Sequence, residues 1–105
     1  MNAEERKRTP VYSGVLQYFP KALQEIARVS LQGNEQHNPN TPLHWDRSKS
    51  QDELDALTRH LIDHASGVEV DTDGQLHLAK VCWRGLASLE KLLEKREAEG
   101  TDSVV

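Results

Sequence analysis

Three groups of residues in this chain have the types and spacings that chemistry needs. Asp52, Asp55 and Arg59 follow i, i+3, i+7 in a helical pattern, so they share one face, and Asp63 continues the row. Two carboxylates one turn apart suit a divalent ion, usually magnesium in phosphate chemistry, and a neighbouring guanidinium can grip a phosphate with its planar fork. His60 and His64 stand at i, i+4, a spacing that can chelate zinc or another transition metal, with His77, Asp71 or Asp73 as the third ligand. The intervening residues are Leu-Ile-Asp, so the glutamate of an HExxH motif is missing. His77, Lys80 and Arg84 form a third row at i, i+3, i+7, and with a helix N-terminus at Gly74 they suit an anion. Each group has a plainer reading: a solvated face with an Asp55–Arg59 ion pair, histidines in ordinary polar contacts, and a wet stripe. Trp83 beside Arg84 argues against full exposure of that guanidinium. Cys82, mid-helix among apolar neighbours, reads as an inert core thiol.

The segment that must present these groups is Gly33–Arg47, GNEQHNPNTPLHWDR. It is long for a connection between helices. Pro39 and Pro42 fix their own φ and restrict the residue before them. His37, His44 and Trp45 are groups that a flexible linker lacks. The segment therefore reads as an ordered loop presenting a binding surface; the alternative is a loop whose Trp45 plugs the core.

Helical patterns flank it. Residues 1–9 are charged and lack apolar anchors, which predicts disorder. Val11 to Phe19 form an apolar lead-in, a turn and short helix lying across the core as a lid. The first principal helix is predicted over 20–32, with Pro20 at its first position and Gly33 as its C-cap. Leu23, Ile26, Ala27 and Ser30 form its inner stripe. The second spans 51–65, begun by a capping box of Ser50 and Glu53 and ended by Gly67, with Leu54, Leu57, Thr58, Leu61 and Ile62 as its apolar face. Asp71 and Asp73 are N-cap candidates for the third, 74–97. There Leu76, Ala79, Trp83, Leu86 and Leu93 take one side, and Leu78, Cys82, Leu89 and Leu92 widen it, which predicts a central helix. Residues 100–105 are a tail.

The fold class expected is therefore all-α: three principal helices and one long ordered loop, with a single helical domain over 10–97. Its 105 residues suit one domain. At 36% apolar residues and a mean hydropathy of −0.71, the chain is polar for a self-sufficient globule, which predicts burial between subunits of a symmetric homo-oligomer. A net charge of −4 argues against a nucleic-acid polymer or an anionic membrane as partner. No transmembrane run and no signal peptide are visible, and one cysteine builds no disulfide framework, so a cytoplasmic setting is the default. There is no phosphate loop, no G-x-G-x-x-G and no nucleophile elbow.

Taken in order, FPKALQEIARVS, GNEQHNP, PLHW, DALTRHLID, D-x-DG-x-x-H-x-AK and WRGLASLE resemble a small, mostly phage-encoded family, the N-terminal domain of dATP/dGTP diphosphohydrolases. The resemblance covers roughly Tyr12 to Glu90. It implies kinship with all-α MazG-like pyrophosphohydrolases, which use magnesium and work as helical dimers or tetramers. It carries over Glu25 from the first-helix motif, Asn38, His44 and Trp45 from the loop, Arg59 and His60 from the second helix, and Asp71, Asp73 and His77 from the start of the third. MazG-like enzymes pair E-x-x-E with E-x-x-D; here Arg28 stands where the second acid would be, and Asp52-x-x-Asp55 supplies a shortened half. In the enzymatic reading Glu25, Asp52 and Asp55 hold magnesium, with Glu25 and Asp55 catalytic. Arg59, Lys80 and Arg84 neutralise phosphate, Trp45 stacks on a purine base, and Asn38, His44, His60 and His77 complete the nucleotide site. The alternative is a non-catalytic sponge that sequesters a host immune signalling nucleotide.

Overall fold

The computed structural model describes residues 1–49 and 51–100. Four α-helices follow in order: α1 (Ala3–Lys7), α2 (Pro20–His37), α3 (Glu53–Ala65) and α4 (His77–Ala98), with a π-helical turn at Tyr12–Leu16 and a 3-10 turn at Arg47–Lys49. Among the described residues the only β pairing is one isolated bridge, Val70 to Leu76. The all-α expectation holds. No helix among the described residues is long and apolar enough to cross a membrane.

Several local expectations change. The N-terminal stretch is helical because Asn2 caps α1, accepting the Glu5 amide at 2.9 Å, with acids at its first turn and bases at its last. The apolar lead-in does not form a buried lid: Tyr12 and Tyr18 are 67% and 71% exposed. The helix begun by Pro20 does not stop at Gly33. It runs on to His37 and ends where Asn38 precedes Pro39, a residue pair that disfavours helix. The connecting loop is correspondingly shorter. Of the capping box, Ser50 lies outside the described residues, as do residues 101–105 of the tail, and the Glu53 carboxylate is bonded to Lys91.

Helices α3 and α4 are antiparallel, joined by a tight turn over 66–76. Gly67, at φ 95°, closes α3 in a Schellman motif: the Val68 amide reaches the Asp63 carbonyl at 3.0 Å and the Gly67 amide the His64 carbonyl at 3.0 Å. Asp71 and Asp73 do not cap α4, whose N-cap is Leu76 without a side-chain bond. They accept backbone amides inside the turn, Thr72 at 2.7 Å and Gln75 at 3.0 Å, and both bind Lys80. Helix α2 lies along α4, tied by Trp83 Nε1 donating to Ser30 Oγ at 2.5 Å and by Gln32 donating to the Asp73 carbonyl.

The core is thin. Among the described residues the buried apolar ones are Ala56, Ala79 and Ala87, joined by buried Asn34, Glu53 and His77. The inner face of α3 is Glu53, Ala56, Leu57, His60 and His64; Leu54, Leu61 and Ile62 of the expected apolar face point outward. On α4, Leu78, Cys82, Leu86, Leu89 and Leu92 are exposed, so Cys82 is not a core thiol. A radius of gyration of 15.7 Å exceeds the roughly 13 Å of a compact domain this long.

Candidate functional site

Helix α2, the loop after it and α4 enclose a cleft of about 350 Å³. That is within the range of small-molecule sites. Its walls include Asn34, His37, Asn38, His44, Trp45, Lys49, His60, Lys80, Trp83 and Arg84, with acids Asp46, Asp52 and Asp73. Trp45 and Trp83 meet edge to face, ring centroids 5.8 Å apart. Arg47 lies 4.1 Å over the Trp45 ring and holds it from the far side.

Of the residues that the sequence singled out, His37, Asn38, His44, Trp45, Asp52, His60, Asp73, Lys80 and Arg84 line this cleft. Asn38 accepts the Lys49 ammonium at 3.1 Å, and His44 Nδ1 lies 3.1 Å from the Pro42 carbonyl. Arg84 reaches Asp52 at 4.0 Å. Arg59 lies outside the cleft, on the solvent side of the same carboxylate, at 3.4 Å. Its partner is thus Asp52 and not Asp55. His77 lies behind the wall, 3% exposed, with its Nδ1 2.9 Å from His60 Nδ1.

The proposed magnesium set does not assemble. Glu25 is bonded to Arg28 on the outer part of α2, Asp52 is shared by two arginines, and Asp55 is exposed on α3. Among the described residues, the group whose ligand atoms converge is His60, Asp71 and His77. The acids present do not fit an all-oxygen magnesium cage.

Two candidate residues were hidden from sequence reasoning. Asn34 is only 6% exposed; its Nδ2 donates to the Thr41 carbonyl at 3.2 Å, while its Oδ1 is buried without a hydrogen-bond partner. Trp45 Nε1 is likewise buried and unpartnered. Unpaired buried polar atoms cost about 1–3 kcal/mol each, so native structures keep few of them. Lys49 adds a cation from the 3-10 turn. Asn34 lies in the GNEQHNP block but was not singled out there, because the mistaken helix end at Gly33 placed it in a loop; Lys49 belongs to no motif.

Electrostatically the turn before α4 is a closed unit. Lys80 Nζ lies 2.6 Å from Oδ2 of both Asp71 and Asp73. The Lys80 bond holds the Asp71 carboxyl down to about 2. Burial works against the charge on Lys80, but its two carboxylates outweigh this and raise its pKa above the usual lysine range. Burial and then the Lys80 charge push His60 below the ordinary histidine value, so a neutral imidazole faces His77 at neutral pH.

The cleft thus combines two tryptophan rings, several cations and an unsatisfied polar wall. No curated protein and no solved structure matches the chain. The family described as dATP/dGTP diphosphohydrolase, N-terminal, matches residues 2–101, nearly the whole chain, and the chain belongs to that family.

Proposed function

We propose that the cleft binds a purine deoxynucleoside triphosphate. Asn34 carries the reading. Its bond to the Thr41 carbonyl fixes which end of the amide is oxygen, and that oxygen is a buried acceptor in the cleft wall with nothing to accept. A phosphate cannot satisfy it, because phosphate oxygens only accept. The N–H groups of adenine and guanine can. Trp45 and Trp83 offer faces for the base, and Lys49 and Arg84 offer charge for the phosphates. The family description, which names dATP and dGTP, supports the same substrate class.

The test is calorimetric titration with dATP and dGTP, followed by analysis of the recovered nucleotide. Asn34→Leu is expected to weaken binding roughly fivefold to tenfold, the equivalent of one hydrogen bond. If neither nucleotide binds, or the variant binds as well as the parent, this reading fails. Retention without breakdown is a second reading with its own observation: Glu25, Asp52 and Asp55 stand apart, each of the first two engaged by arginine. Intact nucleotide after incubation favours that sponge-like role; release of pyrophosphate favours turnover.

The proposal includes self-association. Leu54, Ile62, Leu86, Leu89 and Leu92 are each at least half exposed, and among the described residues no large side chain is fully buried. Covering such rows between symmetric copies supplies the apolar burial that one chain lacks. Sedimentation of a single-chain mass at micromolar concentration would remove this part of the proposal and leave the cleft untouched.

A further inference from the structure

We infer that His60, Asp71 and His77 form a binding site for one divalent transition-metal ion, at the end of the cleft that His60 helps to line. Three elements supply one ligand each: α3, the turn before α4, and the first residue of α4. The two Nδ1 atoms are 2.9 Å apart, His60 Nδ1 lies 3.9 Å from Asp71 Oδ2, and all three ligand atoms fall within 4.8 Å of one another. Zinc bonds of about 2.0–2.1 Å in a tetrahedron set neighbouring ligand atoms about 3.3 Å apart. The trio brackets that distance, so a small closure of Asp71 and a slight parting of the rings would complete it.

The surroundings favour the ion. His77 is almost wholly buried, and its other nitrogen, Nε2, lies 3.8 Å from Asp63 Oδ2. That separation is longer than a hydrogen bond; an outer carboxylate that closed onto the ring N–H would fix the ring and its tautomer. Asp71 is oriented by the Thr72 amide and by Lys80, and Asp73 can keep Lys80 in place while Asp71 turns to the metal. Two imidazoles and one carboxylate suit zinc, cobalt or manganese far better than magnesium, which prefers oxygen ligands. Three protein ligands leave a position for water or a phosphate oxygen. The assignment deepens the nucleotide reading but is tested without nucleotide, so either can fail alone.

The experiment strips the full chain of metal and titrates it calorimetrically with Zn²⁺, Co²⁺ and Mg²⁺, with the visible spectrum of Co²⁺ as a reporter of nitrogen ligation. One zinc or cobalt ion per chain is expected, and no uptake of magnesium at the same concentrations. His60→Gln should weaken zinc binding at least tenfold. Asp63→Asn, on an exposed carboxylate that is not hydrogen-bonded to the ring, should weaken it less than His60→Gln does. His64→Gln, one turn along α3, should leave it unchanged. Helicity by circular dichroism checks each variant; if His60→Gln does not fold, Asp71→Asn takes its place with the same expected loss. Absence of zinc and cobalt uptake overturns the site, as does unaltered uptake in His60→Gln, or loss confined to His64→Gln.

Discussion

The α3–α4 pair has two charged ends, and they are built on opposite plans. At the end formed by the start of α3, Lys91 spans both oxygens of the buried Glu53 at 3.1 Å, and Arg47 clasps Glu94 through two bonds of 3.0 and 2.8 Å. Trp45 lies beneath both cations, 4.1 Å from Arg47 and 5.8 Å from Lys91. These four charges each face an opposite. At the other end two histidines face each other, and the adjoining wall carries the unsatisfied Asn34 oxygen. The first arrangement pairs its charges within the chain and holds helices together. The second leaves donors and acceptors waiting, which is what a ligand site requires.

Breaking the closed end should have the largest effect. Lys91→Met strips the buried Glu53 of its cation and is expected to destabilise the fold by about 3 kcal/mol, the lower range for breaking a buried pair. For a chain of this size that is a fall of more than about 10 °C in Tm. Thermal unfolding measures it, and nucleotide retention by the folded fraction should persist. A variant as stable as the parent would mean that this end is merely a solvated cluster.

The next test separates the cleft from its outer rim. Arg84 and Arg59 share Asp52, but only Arg84 lines the cleft and is 29% exposed; Arg59 is 64% exposed. Arg84→Ala is expected to weaken dATP or dGTP binding roughly tenfold to hundredfold, about 1.5–3 kcal/mol for hydrogen bonds to a charged group. Arg59→Ala should change affinity little, since exposed ion pairs contribute about 0–1 kcal/mol. Equal losses by titration would erase the distinction.

The helices were legible from periodicity and punctuation: Pro20 opens α2 and Gly67 closes α3 where the sequence puts them. Which face turns inward was not. Leu54, Leu61 and Ile62 mark an apolar stripe on α3, yet Glu53, Ala56, Leu57 and His60 take the inner position. A periodic stripe says that something must cover it; it does not say whether the cover is this chain or another copy. The metal-capable trio was half visible. His60 and His77 were singled out, with Asp71 as a possible third ligand, but the i, i+4 rule paired His60 with His64. A pairing across two antiparallel helices has no fixed sequence spacing, so nothing local could reveal it. Lys80 was assigned to an anion, whereas the fold gives it Asp71 and Asp73, because the helix starts three residues later than Gly74.

The smallest effect tests the wall of the open end through its glycines. A glycine after a helical run reads as a stop, and at Gly67 that is right: φ is 95°, and no neighbour lies within 4 Å of where a Cβ would be. Gly67→Ala is therefore opposed by backbone strain alone, about 1–2 kcal/mol. Gly33 looks the same in sequence but sits inside α2 with helical backbone, and its Cβ position is also open. There glycine only adds freedom to the unfolded chain, so Gly33→Ala should stabilise by about 0.5–1 kcal/mol. The opposite signs discriminate: a helix that ended at Gly33 would lose stability with both substitutions. Denaturant midpoints of the two variants decide it. A stabilised Gly33→Ala chain would establish that α2 continues past Gly33, and only that continuation carries Asn34 into the cleft on a rigid element.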